Sequence, residues 1–292
     1  MDQIPYISDR FMEFNTNFPE LIQKLREGFG QKLVHTPMRH HHDYPNPDAG
    51  IDSTLLLMPA WEKGKDLGVK IVSVNPNNGQ YNLPSIQGSY LYLDAHKGII
   101  RAIFDAKCLT AKRTAATSAL ASSLLARKNT SSMLMLGTGA LASNLIKAHA
   151  SVLPIKEVFI WGRDYKKAQL ICDQMESEEF DIIPVRNYQE KITEVDLISC
   201  ATLSKESLVL GKLLTNGQHL DLVGAYKTDM READDDAILR SSVFLDTFQG
   251  GLKESGDIVI PMNSGILKKS DIKADLFELC SMSKKGRQSD KE

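Results

Sequence analysis

The 292-residue chain has only four cysteines, Cys108, Cys172, Cys200 and Cys280, and no two of them form a CxxC pair. That scatter offers neither a zinc knuckle nor a disulfide framework, and it reads as reduced, buried thiols in a cytoplasmic protein. No basic segment with an apolar core opens the sequence, and no apolar run approaches the ~20 residues of a membrane span, so neither secretion nor membrane insertion is expected. Net charge is equally scarce. Thirty-five Lys and Arg against 37 Asp and Glu leave a formal charge of −2, with no overall pull towards nucleic acid or an anionic bilayer. Internal repeats are missing, and low complexity is confined to the polar tail 283–292. What remains, 42% hydrophobic and 25% charged residues, is a globular composition long enough for one large domain or two ordinary ones.

One stretch stands out. The apolar run Ser132-Met133-Leu134-Met135-Leu136 ends in Gly137-Thr138-Gly139-Ala140-Leu141-Ala142, and residues 143–150 read as helix. Strand, glycine turn and helix in that order suit a dinucleotide pyrophosphate. Gly137 permits the tight turn, Gly139 lets backbone approach the phosphates, Ala142 allows close helix–strand packing, and the helix N-terminus favours the anion. Downstream, strand patterns at 156–161, 181–185, 196–202, 218–224 and 243–247 alternate with helical ones at 165–175 and 232–239. This alternation predicts right-handed crossovers and a doubly wound, mostly parallel Rossmann sheet. Upstream, strands at 4–7, 53–61, 67–74, 88–94 and 99–105 with a helix at 18–29 predict a mainly antiparallel α+β domain. A small-residue helix over 109–128 leads from one pattern to the other.

Three cations attract notice. Arg39 lies in a polar, proline-flanked segment and can meet a carboxylate in bidentate fashion. Lys70 interrupts an apolar strand, sharing a face with Gly68 and Val72, so its ammonium is directed either into a cleft or onto a solvated sheet face. Arg113, near the start of the small-residue helix, is either an anion contact or a plain surface arginine. The neighbouring His40, His41 and His42 point in alternating directions on a strand and do not converge on one metal ion. At the end of the second Rossmann strand, Gly162 stands where an NAD-specific carboxylate is expected and Arg163 follows. That order favours NADPH, with NADH as a poorer donor, and leaves Asp164 as a helix cap or a ribose partner.

Taken together, Gly68-Val69-Lys70-Ile71-Val72, Arg113-Thr114-Ala115-Ala116, Gly137-Thr138-Gly139-Ala140, Val223-Gly224-Ala225 with Arg231-Glu232, and Glu254-Ser255-Gly256-Asp257 resemble the ornithine cyclodeaminase/mu-crystallin family. The resemblance implies a homodimer whose substrate-binding and dimerisation domain, 1–112 completed by 266–292, adjoins a dinucleotide domain, 113–265, with the substrate in the cleft between them. It implies Arg39, Lys70 and Arg113 as contacts of a substrate carboxylate. It also implies cofactor contacts at Thr114, Gly137, Thr138, Gly139, Ala140, Leu141, Arg163, Asp164, Ala201, Thr202 and Gly224. Cyclodeaminases of the family carry an aspartate directly after this Gly-Ala, and here the residue is Tyr226. Lacking that acid/base group, the chain resembles the imine-reducing branch. The implied reaction is reduction of Δ1-pyrroline-2-carboxylate to L-proline, or of the six-membered piperideine analogue, with Lys70, Tyr226 or water supplying the proton. Ornithine cyclodeamination, alanine dehydrogenation and ligand binding without catalysis are the alternatives. Family members usually continue into a further helix beyond 286–290, and the chain's end at Glu292 is expected to leave part of the substrate domain's cover in doubt.

Overall fold

The computed structural model describes residues 3–176 and 178–292, which group into two compact units. One unit gathers Gln31–Arg113 with the segment ending at Asn17; the other gathers Phe18–Gly30 with Thr114–Glu292.

The first unit is a seven-stranded sheet. Strand β1 (Tyr6–Ile7) and helix α1 (Asp9–Asn15) precede helix α2 (Phe18–Gln31), which belongs to the second unit almost throughout. Strands β2 (Val34–His35), β3 (His40–Tyr44), β4 (Ser53–Glu62), β5 (Asp66–Val74), β6 (Ile86–Asp94) and β7 (Ile100–Asp105) follow. The order is β1-β7-β6-β5-β4-β2, with β3 also on β4, and every pairing except β1 with β7 is antiparallel. The expected hairpin at 88–105 forms, turning at Gly98, whose φ of 66° a side chain would disfavour. Helix α3 (Ala106–Leu125) then carries the chain out of this unit at Arg113.

The second unit is built on five parallel strands: β8 (Ser132–Leu136), β9 (Glu157–Trp161), β10 (Asp181–Pro184), β11 (Leu197–Cys200) and β12 (His219–Leu222). Their order, β10-β9-β8-β11-β12, reverses direction between β8 and β11, as in a Rossmann sheet. Helices α4 (Ala142–Ala150), α5 (Tyr165–Gln174), α6 (Tyr188–Ile192) and α7 (Asp235–Arg240) are interspersed with them. Met133, Leu134, Met135, Leu136, Ile160, Leu197 and Ile198 are wholly buried, which is why these strands read as continuous apolar runs.

Two expectations change. The run 243–247 supplies β13 (Phe244–Leu245), which joins no Rossmann strand but pairs in parallel with β14 (Ala274–Asp275). Helices α8 (Phe248–Glu254) and α9 (Gly256–Asn263) lie between them in sequence, and α10 (Leu276–Cys280) follows. The segment 266–292, expected with the N-terminal domain, groups with the second unit. Ala274, Leu276 and Leu279 are buried in a core shared with Ile22, Ala115 and Leu120, and Arg287 donates to Leu125 O and Gln218 O. The same core draws in α2, whose Arg26 donates to Ser123 Oγ at 2.8 Å. Among the described residues no helix is long and apolar enough to cross a membrane.

Candidate functional site

In the first unit the antiparallel register sets Met58, Lys70, Tyr90 and Phe104 side by side across β4, β5, β6 and β7. Gly68 shares this face because side chains alternate along a strand. A Cβ on Gly68 would collide with the Tyr90 ring and hydroxyl, so glycine is required there to let Tyr90 lie alongside Lys70. Tyr90 went unnoticed in the sequence, where nothing marks which of several strand tyrosines faces the lysine. Burial, and then the charge of Asp66, raise its phenol above the usual range.

Lys70 is partly buried, and among the described residues no carboxylate pairs with it. Burial, then the positive charges of Arg113 and Arg39, pull its ammonium down to about 7 from an ordinary 10.5. The three cations singled out in the sequence are thus brought within electrostatic reach of one another. Arg113 does not act through a helix terminus, however. Helix α3 begins at Ala106, three residues earlier than the small-residue pattern indicates, so Arg113 sits about two turns inside it. Its neighbour Lys112 is a different kind of cation: only 6% exposed, it donates to the carbonyls of Glu13 and Thr16, both at 3.0 Å, and holds α1 to α3.

The three histidines behave as strand geometry dictates. His40 and His42 share a face, their rings 6.3 Å apart, while His41 turns to the other and meets Asp43 at 3.0 Å. No cluster of His, Cys, Asp or Glu among the described residues is arranged to hold a metal ion.

In the second unit the glycine turn has the features a pyrophosphate needs. Gly137 adopts a φ of 122°, and a Cβ there would lie 2.6 Å from Ala201 O. Gly139 is exposed, and a Cβ on it would meet nothing within 4 Å, leaving open space beside the backbone. Ala142 is wholly buried at the first position of α4, whose first turn no side chain caps. By contrast, Asp164, Asn187, Asp234, Thr247 and Asp275 each cap a helix. Uncapped N–H groups beside an open glycine fit a bound diphosphate.

At the end of β9, Gly162 is fixed by Thr138: a Cβ there would lie 2.6 Å from Thr138 Cγ2. Asp164 caps α5, its Oδ1 accepting from Lys166 N at 3.0 Å. Arg163 is exposed, and Arg186 lies over the Tyr165 ring at 4.0 Å. Ala201, Thr202 and Gly224 follow β11 and β12 directly, on the far side of the point where strand order reverses. Thr114 continues α3 just beyond Arg113, and Tyr226, 40% exposed, lies two residues past Gly224.

A second polar cluster is enclosed. His149, fully buried, lies 2.9 Å from Ser122 Oγ and 3.2 Å from Asp221 Oδ2, and Ser199 donates to the same carboxylate at 2.7 Å. Burial raises the Asp221 pKa, but the contacts with His149 and Ser199 outweigh it and leave the group below its usual value. Serine, histidine and aspartate meet here in the order of a hydrolase triad, yet Ser122 is wholly buried, so the cluster is scaffold.

The model of the ornithine cyclodeaminase/mu-crystallin family matches residues 11–292. A Δ1-pyrroline-2-carboxylate reductase of Colwellia psychrerythraea is 34% identical over 295 residues, covering 98% of this chain and 91% of that protein. The ketimine reductase mu-crystallin of Mus musculus is 31% identical over 229 residues, covering 78% of this chain and 70% of its own. Among solved structures, Thermococcus litoralis Δ1-pyrroline-2-carboxylate reductase, in complex with NADH and L-proline, superposes with a TM-score of 0.92 at 29% identity, covering 99% of this chain and 90% of that one.

Proposed function

The chain belongs to the ornithine cyclodeaminase/mu-crystallin family, and within it we propose that this protein is an NAD(P)H-dependent imine reductase acting on a small cyclic 2-imino acid, Δ1-pyrroline-2-carboxylate in the first instance. The observation that carries this reading is Lys70, a partly buried ammonium within electrostatic reach of Arg39 and Arg113, with which no carboxylate among the described residues pairs. A desolvated cation among cations is unfavourable unless an anion joins it. A substrate carboxylate is that anion.

The reduced dinucleotide, when bound, supplies a hydride to the C=N carbon. Gly137, Thr138, Gly139, Ala140 and Leu141 would hold its pyrophosphate, Ala201, Thr202 and Gly224 its nicotinamide end, and Thr114 an adjoining contact. Arg39 and Arg113 orient the imino acid through its carboxylate. Lys70 shares in that contact and holds at Nζ a proton near neutrality, so it can keep the imine nitrogen protonated and electrophilic. Tyr226 is the second proton-bearing group. It stands where a cyclodeaminase carries an aspartate, which favours reduction over ammonia elimination.

NADPH is the favoured donor. Asp164 is engaged as a cap, Gly162 leaves no room for a carboxylate, and Arg163, with Arg186 nearby in sequence to β10, supplies positive charge suited to a 2′-phosphate. A homodimer is supported by the other face of the first sheet, where Leu55, Leu57, Pro59, Val69, Ile71, Leu91 and Ile103 form a contiguous apolar surface only partly buried in a single chain. The four free cysteines suit a cytoplasmic setting.

The experiment is to follow oxidation of NADPH and NADH on adding Δ1-pyrroline-2-carboxylate or Δ1-piperideine-2-carboxylate, with product identified as L-proline or L-pipecolate. Proline and ammonia formed from ornithine without reductant would overturn the reading of Tyr226. Tight NADPH binding with no oxidation across both imines would overturn catalysis itself.

A further inference from the structure

Glu232 has no part in the reaction described above, yet it is the most completely enclosed carboxylate beside the dinucleotide contacts. It is 0% exposed. Its Oε1 accepts from Thr202 N and Thr202 Oγ1, both at 2.7 Å, and its Oε2 accepts from Gly224 N at 2.7 Å. Thr202 and Gly224 each lie two residues beyond the adjacent parallel strands β11 and β12, whose last register pair is Cys200 with Leu222. One carboxylate therefore ties together the two strand ends by three hydrogen bonds, at a place where the sheet ladder has stopped. The fit is close: a Cβ on Gly224 would collide with Thr202 O and lie 2.6 Å from Glu232 Oε1.

Glu232 is itself held. Its N–H and that of Ala233 donate to Asp257 Oδ1 at 2.8 and 3.0 Å, and Asp257 is 2% exposed. Asp257 stands in the first turn of α9, where Gly256 is forced by the adjacent Met230 carbonyl. Burial lifts Glu232 to about 7 against the pull of its three donors, and the Asp257 charge adds to that rise. Two buried carboxylates in electrostatic contact are costly to maintain, and Asp257 Oδ2 has no hydrogen-bond partner among the described residues. Such an arrangement persists where it fixes geometry that a ligand uses.

We propose that Glu232 is a positioning residue for the nicotinamide end of the dinucleotide, acting through Thr202 and Gly224 and touching no ligand itself. The proposal rests on the dinucleotide reading given above. In an open parallel sheet the ligand crosses the carboxyl ends of the strands at the reversal of strand order. Arg163 lies on one side of that reversal and Thr202 and Gly224 on the other. Glu232 therefore governs one half of the cofactor and leaves the adenosine half alone.

The test is the affinity of wild type and Glu232→Gln for NADPH and, separately, for 2′-phospho-ADP-ribose, which lacks the nicotinamide, measured by calorimetry without substrate. The glutamine oxygen can still accept from Thr202, but its amide then faces the Gly224 N–H donor to donor. NADPH should bind on the order of tenfold more weakly, while the fragment binds as to wild type. Equal weakening of both, or of neither, would overturn the proposal. Glu232→Asp keeps the charge and shortens the reach by one methylene; it should show the same split and serves if the glutamine variant does not fold. A wild-type chain that binds neither compound would instead overturn the dinucleotide reading.

Discussion

Lys70 in the first unit and Asp221 in the second are both charges taken out of water, and they are treated in opposite ways. Asp221 is satisfied by its own chain, accepting from Ser199 and facing His149, and these contacts hold its pKa below the usual range despite burial. Among the described residues no carboxylate pairs with Lys70; the charges acting on it are those of Arg113 and Arg39, and its pKa falls to about 7. A compensated buried charge stabilises the fold, whereas one left among like charges marks where a ligand completes the site. Asp221 is thus satisfied within the fold, and the chemical role proposed for Lys70 draws on the opposite arrangement.

Removing Lys70 should sharpen that contrast most. Lys70→Ala is expected to lower kcat/KM for the imino acid about a thousandfold, roughly 4 kcal/mol, with the melting temperature unchanged or raised, since a desolvated ammonium disappears. Asp221→Ala should do the reverse. It strands His149 and Ser199 in the interior and is expected to cost about 3 kcal/mol by denaturant unfolding, with KM for the imino acid unmoved in the protein that folds. A KM change there would break the division between the two charges.

Arg113→Ala should act more gently on the same anion, raising KM about thirtyfold while NADPH affinity, measured by titration, is retained. The smallest effect is a slope with pH. In the free chain Lys70 is protonated below about 7 and loses its proton above it, while a bound carboxylate draws its pKa back towards 10.5. Carboxylate affinity should therefore be flat below about pH 7 and fall about tenfold per unit above it, until the pKa of the complex is reached. Binding of L-proline titrated across this range reads the slope, and Lys70→Arg, which keeps its charge throughout, should abolish it. The same depression means that Lys70 opposes folding fully below about pH 7, with that opposition fading as pH rises to 10.5.

Much of this arrangement could be read before any coordinates. Gly137 and Gly139 announced the turn because their spacing is local, and the period of two along 67–74 put Lys70 on a face with Gly68. The features that escaped depend on long-range pairing. Nothing in 243–247 says that Phe244 will pair with Ala274 instead of joining the Rossmann sheet. The segment around Leu276 and Leu279 docks on a core assembled from Ile22, Ala115 and Leu120, far away in sequence. Tyr90 is one of several strand tyrosines until the register sets it opposite Lys70. The sequence shows Glu232 as part of a family resemblance and at the start of a helical pattern, but its link to Thr202 spans thirty residues and leaves no periodic trace.

On the proposed function, a cluster of cations recognises the carboxylate of a cyclic imine that the chain then reduces. The most direct measurement compares NADPH oxidation by wild-type protein with Δ1-pyrroline-2-carboxylate and with Δ1-pyrroline, the same ring without the carboxylate. kcat/KM should be lower by at least about a hundredfold for the bare ring, which offers no carboxylate to Arg39, Lys70 and Arg113. Equal turnover of the two rings would contradict it.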